Sequence, residues 1–261
     1  MKFATKYGHF SEDGLEYIIT RPDTPKPWVN VISNGDYGLI VSQAGGGFSW
    51  RTHANFNRLT RWNQDLVRDD WGKFLYLRDR ATGRVWSGAF QPVKNKSCRY
   101  TIRHGLGYSV FSSLFREIAC DWTLFAARED PAEIWHLRLH NESSLAREID
   151  LFSYFEWNLG FAPDNHREFH KTFIETEFDQ EHQLFFAGKR LWEMPDEKGR
   201  HWNVVWPYTA FFAASAPVTG FEGDKETFIG VLGDLTAPQA VQKGACQNTQ
   251  GKWGDGIAGL Q

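Results

Sequence analysis

The sequence predicts an all-β protein, built as one large antiparallel sandwich of two sheets. Segments rich in Tyr, Phe, Trp, Ile and Val recur between clusters of Gly, Pro, Asn and Asp, and no stretch keeps a helical period of about 3.6 residues for long. The segments are too numerous for one open sheet. Because bulky side chains also occupy both faces of one of them, two packed sheets explain the pattern best.

The predicted strands are short segments bounded by turn-forming residues. In chain order they are Glu16–Thr20, Tyr37–Val41, Phe74–Leu77, Arg99–Arg103, Ser109–Leu114, Ala119–Phe125, Glu133–His140, Arg147–Trp157, Thr172–Phe178, Gln183–Ala187 and Val204–Ala213. Each is rich in aromatic or β-branched side chains, which pack well on a pleated surface.

The segment Glu133–His140 shows the clearest alternation. Trp135, Leu137 and Leu139 fall on one face, and the intervening polar side chains fall on the other. A turn-forming Asn-Glu-Ser-Ser cluster follows it, so this segment and Arg147–Trp157 are predicted to form an antiparallel hairpin.

Domain organisation is predicted to be simple. The polar stretches Arg21–Pro27 and Leu191–Trp202 lack the composition shift expected at a domain boundary, so residues 1–261 are interpreted as one domain. At the other end, Ile257–Gln261 looks like a strand that is just beginning. We therefore expect the chain to be the N-terminal part of a longer protein.

Composition excludes several classes of protein. The chain has 261 residues, of which 41% are hydrophobic and 23% charged, which is typical of a folded protein. A net charge of -3 gives no field to attract phosphates, so nucleic-acid binding is not expected. The polar N-terminus lacks the apolar core of a signal peptide, and no apolar run approaches the roughly 20 residues of a membrane helix, so a cytoplasmic location without membrane contact is expected.

Motifs for covalent or metal chemistry are weak. Cys98, Cys120 and Cys246 are widely spaced, which argues against a disulfide framework or a zinc ribbon. His166 and His170 have helical spacing that could bind zinc, but Arg167 stands where the protease motif requires Glu. Solvent-facing or ligand-contacting histidines are the alternative, and no metal or other cofactor is predicted.

The run Gly45-Gly46-Gly47 resembles a phosphate-binding loop only superficially. A P-loop requires Lys followed by Ser or Thr after its glycines, and Phe48-Ser49-Trp50 follows here. A tight bend between strands is the better interpretation.

Two pairs of carboxylates could suit acid–base work on glycosides, which needs carboxyl groups about 5 to 9.5 Å apart. Glu175 and Glu177 share one face of a predicted strand at roughly 6.5 Å. Asp69 and Asp70 are adjacent in a loop. Solvated acids on an exposed surface are the alternative for both pairs.

A surplus of aromatic residues, with 12 Trp, 8 Tyr and 21 Phe, indicates a saccharide-binding surface. Trp50, Trp62, Trp71 and Trp86 fall in or beside loops that also carry polar side chains. These are Arg51, His53, Asn55, Asn57, Arg58, Asn63, Gln64 and Asp65. Filling of a thick core is the alternative for each tryptophan.

Several motifs in a fixed order carry a family resemblance. They are Tyr17–Asn30, Ala44–Ser49, Arg58-Leu59-Thr60-Arg61, Tyr76–Asp79, Trp86–Ser87, Gln91–Val93 and Arg103–Tyr108. Together they resemble the N-terminal domain of the family 94 glycoside phosphorylases, which include cellobiose, chitobiose and laminaribiose phosphorylases and part of cyclic β-1,2-glucan synthases.

The resemblance implies a β-supersandwich, followed in intact members by a helical linker and an (α/α)6 barrel. It further implies that the general acid and the phosphate site lie in that barrel, outside these residues. Inorganic phosphate would be a co-substrate, attacking as an anion while one carboxylic acid protonates the glycosidic oxygen.

The resemblance also implies a homodimer, in which a loop of one subunit reaches the sugar site of the other. The matching stretch is Asp164 to Phe173, and it supplies Arg167, His170 and Lys171 as expected substrate-binding residues. His170 and Lys171 replace a Gln-Arg pair of cellobiose phosphorylases, which leaves the sugar acceptor open.

Three functions remain possible from the sequence. The first is the N-terminal domain of an inverting β-glycoside phosphorylase that acts on a disaccharide. The second is a carbohydrate-binding or dimerisation module without chemistry. The third is a fragment of a glucan synthase-like chain, since Asn57–Asp65 looks as much like that branch as like cellobiose phosphorylase.

Overall fold

The computed structural model describes residues 3–162, 170–251 and 254–261, and within these ranges the regular secondary structure is almost entirely β-strand. The strands are β1 (Gly8–Phe10), β2 (Glu16–Ile19), β3 (Val29–Ser33), β4 (Tyr37–Ser42), β5 (Gly47–Arg51), β6 (Arg58–Thr60), β7 (Phe74–Asp79), β8 (Val85–Ser87), β9 (Arg99–Gly105), β10 (Tyr108–Phe115), β11 (Ile118–Ala126), β12 (Glu133–Asn141), β13 (Ile149–Tyr154), β14 (Trp157–Gly160), β15 (Ile174–Asp179), β16 (Leu184–Lys189), β17 (Trp192–Pro195), β18 (His201–Val204), β19 (Ala210–Ala213), β20 (Phe221–Asp224) and β21 (Gly256–Leu260). The prediction of an all-β protein is confirmed.

The described helices are short. They are α1 (Lys225–Ile229), α2 (Gln239–Lys243) and a 3-10 helix over His170–Phe173. Asp224 caps α1 by accepting a hydrogen bond from the Thr227 backbone N–H at 2.9 Å. None of the helices in the described ranges is long and apolar enough to cross a bilayer.

Two large antiparallel sheets organise the first half of the chain. One has six strands in the order β1-β2-β9-β10-β11-β12, and the other has five in the order β14-β6-β5-β4-β3. Four smaller sheets, β13-β7-β8, β15-β16-β19, β17-β18 and β20-β21, complete the described fold. The prediction of only two sheets is therefore wrong, because strands this short twist away from one another and close the core as several small sheets.

The predicted hairpin between Glu133–His140 and Arg147–Trp157 is also wrong. Strand β12 pairs with β11 along its whole length, whereas β13 pairs with β7 in another sheet. The segment between β12 and β13 crosses between sheets, and this places Phe152 and Tyr154 in a buried cluster with Phe74 and Tyr76. Bulky side chains on both faces of β13 contact two different clusters, Leu151 the main core and Phe152 the buried aromatic cluster.

The main core lies between the two large sheets. Alternate residues of β11, including Trp122 and Leu124, pack there with Leu39 and Val41 of β4. Trp86 belongs to the same cluster and is 1% exposed. The core interpretation of Trp86 is therefore the correct one, and this side chain is not part of a ligand-binding surface.

A buried ion pair joins the sheets. The Lys73 ammonium donates to Glu133 Oε1 and Oε2 at 2.6 and 2.7 Å and to Ser49 Oγ at 2.6 Å. Glu133 also accepts hydrogen bonds from Tyr37, Ser49 and Trp135. Strands β4, β5 and β12 thus meet at one carboxylate whose hydrogen-bonding capacity is fully used, as a buried charge requires.

The electrostatics of this pair follow from its burial. Burial raises the pKa of Glu133, but the Lys73 charge and the hydrogen bonds from Lys73, Ser49 and Trp135 together bring it below its usual value. Burial lowers the pKa of Lys73, and the charge of Glu133 opposes that shift. Removal of one partner would leave an uncompensated charge in the core.

Candidate functional site

The outer face of the five-stranded sheet is aromatic and cationic. Phe48 and Trp50 of β5 point to this face, and Trp62 packs on Phe48 with ring centroids 5.1 Å apart. The Arg58 guanidinium of β6 lies 4.0 Å from the Phe48 centroid and 5.7 Å from that of Trp62. The absence of a side chain at Gly38 is required here, because a Cβ atom would overlap the Trp50 ring.

Arg58 is held in place by backbone carbonyls. Its Nη1 donates to the Trp62 carbonyl at 3.2 Å, and its Nε donates to the Ala54 carbonyl at 3.3 Å. Trp50 and Trp62 remain partly exposed beside it. Planar rings beside a fixed guanidinium offer both stacking surface and hydrogen-bond donors, the combination that sugar rings require.

Arg61, the residue before Trp62, belongs to an ion cluster that also contains Lys171. Lys171 Nζ donates to Asp255 Oδ2 at 2.6 Å, and Arg61 Nη1 lies 3.1 Å from Glu156 Oε2 and 3.9 Å from Asp255 Oδ1. Lys225 Nζ donates to Glu156 Oε1 at 2.7 Å. Among the described residues, three cations therefore meet two carboxylates in this cluster.

One side of the cluster is bonded to the buried Tyr154, and two of its lysines are partly exposed. The Tyr154 hydroxyl donates to Glu156 Oε1 at 2.9 Å, and burial followed by the Glu156 charge raises the pKa of Tyr154 well above its usual range. The side chains of Lys171 and Lys225 are 32% and 25% exposed. The carboxylates thus fix the cations in position while the two lysine side chains remain partly exposed.

Trp71 links the ion cluster to the glycine-rich turn. The Arg61 guanidinium lies 4.8 Å and the Lys225 Nζ 5.7 Å from its ring centroid. The Gly47 N–H donates to the Trp71 carbonyl at 2.9 Å, and a Cβ atom on Gly72 would lie 2.7 Å from the Gly45 carbonyl oxygen. The glycines of 45–47 therefore form the predicted bend. Because they carry no side chains, the segment that contains Trp71 and Gly72 can pack closely against this bend.

Asp69 also holds its segment against the glycine-rich bend. Its carboxylate lies against Gly46, where a Cβ atom would overlap it, and it accepts a hydrogen bond from Ser42 Oγ. Burial raises the pKa of Asp69 to about 6, the Ser42 hydrogen bond opposes that rise, and the charges of Asp70 and Asp65 add to it. Asp70 instead pairs with Arg68 at 2.6 Å, so the two adjacent acids differ in environment.

The structure separates the residues of the predicted sugar-binding loop. Lys171 lies in the ion cluster, whereas His170 is 2% exposed at the start of the 3-10 helix. Arg167 and His166 lie outside the described residues, as does most of Asp164 to Phe173. The substrate-binding roles of His170, Lys171 and Arg167, and the histidine metal site, therefore stay predictions.

The other predicted acids do not join this cluster. Glu175 and Glu177 share one face of β15, as predicted, where Glu175 pairs with Arg190 at 2.9 Å and Glu177 is exposed. Cys98, Cys120 and Cys246 carry free thiols, and the first two are buried. Within the described ranges no group of three or more His, Cys, Asp or Glu side chains could hold a metal ion.

Three members of the cluster were missed from the sequence. Glu156, Lys225 and Asp255 are far apart in the chain and meet because Glu156 bridges to Ile257 at the start of β21. For Glu156, the sequence signal was a single acid between Phe155 and Trp157, in a segment otherwise rich in aromatic residues. Asn57, expected on the saccharide surface, is instead buried and accepts a hydrogen bond from Trp206 Nε1 at 2.8 Å.

Comparison with known proteins gives a consistent result. The sequence model of the family described as "Glycosyl hydrolase 94, supersandwich domain" matches residues 15–261. An N,N'-diacetylchitobiose phosphorylase of Vibrio furnissii is 32% identical over 251 residues, which cover 94% of this chain and 30% of that protein. Solabiose phosphorylase of Paenibacillus borealis is 34% identical over 247 residues, which cover 93% and 30%.

A glucan synthase matches over the same region. Cyclic beta-(1,2)-glucan synthase NdvB of Rhizobium meliloti is 34% identical over 248 residues, which cover 94% of this chain and 8% of that protein. The chain thus spans less than a third of the length of these relatives. The chain belongs to the supersandwich domain family of glycosyl hydrolase family 94.

Proposed function

We propose that the chain is the N-terminal saccharide-binding and dimerisation domain of an inverting β-glycoside phosphorylase. The intact enzyme would convert a disaccharide and phosphate to a sugar 1-phosphate and a free sugar. One observation carries the proposal: Lys171 lies with Arg61, Lys225 and Trp71 in a fixed, partly exposed cluster, in which Arg61 is the chain neighbour of Trp62. Disaccharide phosphorylases among the relatives support the choice of substrate class.

The proposed binding step uses this chain's own residues. Trp50 and Trp62 offer ring faces to the apolar face of a pyranose, and Lys171 and Lys225 donate to its hydroxyl oxygens. Because Glu156 and Asp255 already hold the cations, little side-chain entropy is lost when the sugar binds. Arg167 and His170 would complete the loop, His170 by supporting the turn that presents Lys171.

The proposed chemical step takes place outside the chain. An (α/α)6 barrel after a helical linker would supply the carboxylic acid that protonates the glycosidic oxygen, while phosphate attacks the opposite face of the sugar. Phosphate is already an anion, so this route needs neither a general base nor a cofactor. The domain alone would be inactive, and the intact enzyme would be a cytoplasmic homodimer.

The test is an assay of the intact gene product with cellobiose, laminaribiose and N,N'-diacetylchitobiose. We expect cleavage of at least one disaccharide only when phosphate is present, with release of a sugar 1-phosphate. Hydrolysis at the same rate without phosphate would contradict the proposal.

A second candidate is a glucan synthase-like parent. It is favoured by the 34% identity to NdvB, which matches that to the solabiose phosphorylase. A very large multidomain parent chain would indicate this branch, whereas a parent about three times the length of this domain would indicate a phosphorylase.

A further inference from the structure

An open cavity of about 470 Å³ lies where the six-stranded sheet meets the start of β3. Tyr17 of β2 and His104 of β9 are directly opposite each other in the pairing of these strands, and both line the cavity together with Trp28 and Val29. A volume of this size is within the range of small-molecule sites. The cavity is separate from the candidate site, because β3 and β6 are three strands apart in the five-stranded sheet, which is about 14 Å.

The Trp28 side chain is held in this cavity by two tyrosine rings. Its ring centroid lies 5.7 Å from that of Tyr7 and 5.8 Å from that of Tyr17, and both contacts are nearly edge to face. Its backbone is held by Gln43, whose Oε1 accepts the Trp28 N–H at 2.7 Å and whose backbone N–H donates to the Trp28 carbonyl at 3.0 Å. Because the ring is already ordered, little conformational entropy is lost when a ligand stacks on it.

The Tyr17 hydroxyl is available to a ligand. Four other tyrosines donate their hydroxyl groups to protein oxygens, and they are Tyr37, Tyr76, Tyr108 and Tyr154. Within the described ranges no such partner is found for the hydroxyl of Tyr17, and the side chains of Tyr17 and Trp28 are both partly exposed. An aromatic surface beside a free hydroxyl suits a ligand with an apolar face and a rim of hydroxyl groups.

The wall of the cavity carries no charge at neutral pH. His104 is the one lining side chain that could become a cation, but burial lowers its pKa to about 4, and the Trp28 backbone opposes that shift. In the described chain no lysine, arginine or carboxylate lines the cavity, and Lys6 and Arg21 lie against the Tyr7 ring outside the lining. An uncharged wall cannot compensate a phosphate or carboxylate group, so it favours a neutral ligand.

We propose that this cavity is a second saccharide site, which binds one neutral pyranose unit with its apolar face against the Trp28 ring and a hydroxyl group bonded to the Tyr17 hydroxyl. The choice of a sugar rests on the proposed function, whereas the shape and neutrality of the cavity do not. The site holds a saccharide away from the Lys171 cluster and takes no part in cleavage.

Calorimetric titration with cellotetraose tests the cavity. We expect the Lys171→Ala variant of the 261-residue chain, in which the first site is weakened, to bind this probe. In that background, Val29→Trp places a large ring at the wall of the cavity and should weaken binding at least about tenfold. Val31→Trp is the matched control and should have no effect, because Val31 is 58% exposed against 53% for Val29 but does not line the cavity. Tyr17→Phe, which keeps the ring, should weaken binding at least about threefold through the lost hydrogen bond.

Two results of this titration would overturn the proposal. One is the absence of cellotetraose binding to the Lys171→Ala chain at millimolar concentration, and the other is equal affinity of the Val29→Trp and Val31→Trp chains. Binding of p-nitrophenol in place of cellotetraose, lost in the Val29→Trp chain, would overturn the assignment to a sugar. The phosphate-dependent cleavage assay does not depend on this cavity, so the two proposals can fail separately.

Discussion

Two lysine–carboxylate networks in the same domain differ in what surrounds them. Lys73 and Glu133 are enclosed in the core, where every oxygen of the carboxylate is bonded by a neighbouring strand. Lys171 and Asp255 pair at a similar distance, but about a third of each side chain is exposed, and the Trp71 ring lies over the Arg61 of the same cluster. The comparison teaches that burial, and not the ion pair itself, distinguishes a buried structural contact between sheets from the exposed cluster that we propose binds a sugar.

The largest expected effect lies in the buried network. Glu133→Gln leaves the Lys73 charge buried without its counterion, and we expect a loss of about 3 to 5 kcal/mol in the free energy of unfolding. Urea denaturation of the 261-residue chain measures it. The double variant Lys73→Met with Glu133→Leu is the control and should recover most of that loss. A loss below about 1 kcal/mol for the single variant would show that the pair does not hold the sheets together.

An intermediate effect on the free energy of unfolding is expected at Asp69, whose burial should make stability depend on pH. Its pKa in the folded protein is raised to about 6, so its contribution to stability is complete below its ordinary value of 3.8 and is lost as the pH rises through 6. The groups that face it are Asp65, Asp70 and Lys94. Urea midpoints of the wild type should therefore fall between pH 4 and 7 relative to those of Asp69→Asn. Parallel curves for the two proteins would rule out a buried carboxyl at this position.

The sequence predicted local features of the fold better than long-range ones. Alternation in Glu133–His140 identified β12, because side-chain direction depends on neighbouring residues alone. It could not identify β11 as the partner or assign β13 to β7, since pairing depends on which distant strands bury the most apolar surface. The same limit applies to the candidate site: Lys171 was predicted through a motif, whereas Glu156 and Asp255 lie 99 residues apart and are joined only by the packing of β21.

The smallest effect on stability is expected in the exposed network. Lys171→Ala removes one partly solvated pair, for which we expect a loss of about 0 to 1 kcal/mol by urea denaturation. Lys243→Ala, at an exposed lysine at the end of α2, is the matched control and should behave alike. A loss of several kcal/mol would place Lys171 with Lys73 as a structural residue and would remove the contrast between the two networks.

The most direct test of the central claim measures the affinity of the intact gene product for its sugar acceptor, with Lys171→Ala and Lys243→Ala compared on the same preparations. We predict that Lys171→Ala weakens acceptor affinity at least about tenfold, equivalent to about 1.4 kcal/mol, while its unfolding midpoint and the affinity of Lys243→Ala stay at the wild-type values. Unchanged acceptor affinity in a folded Lys171→Ala enzyme would contradict the account.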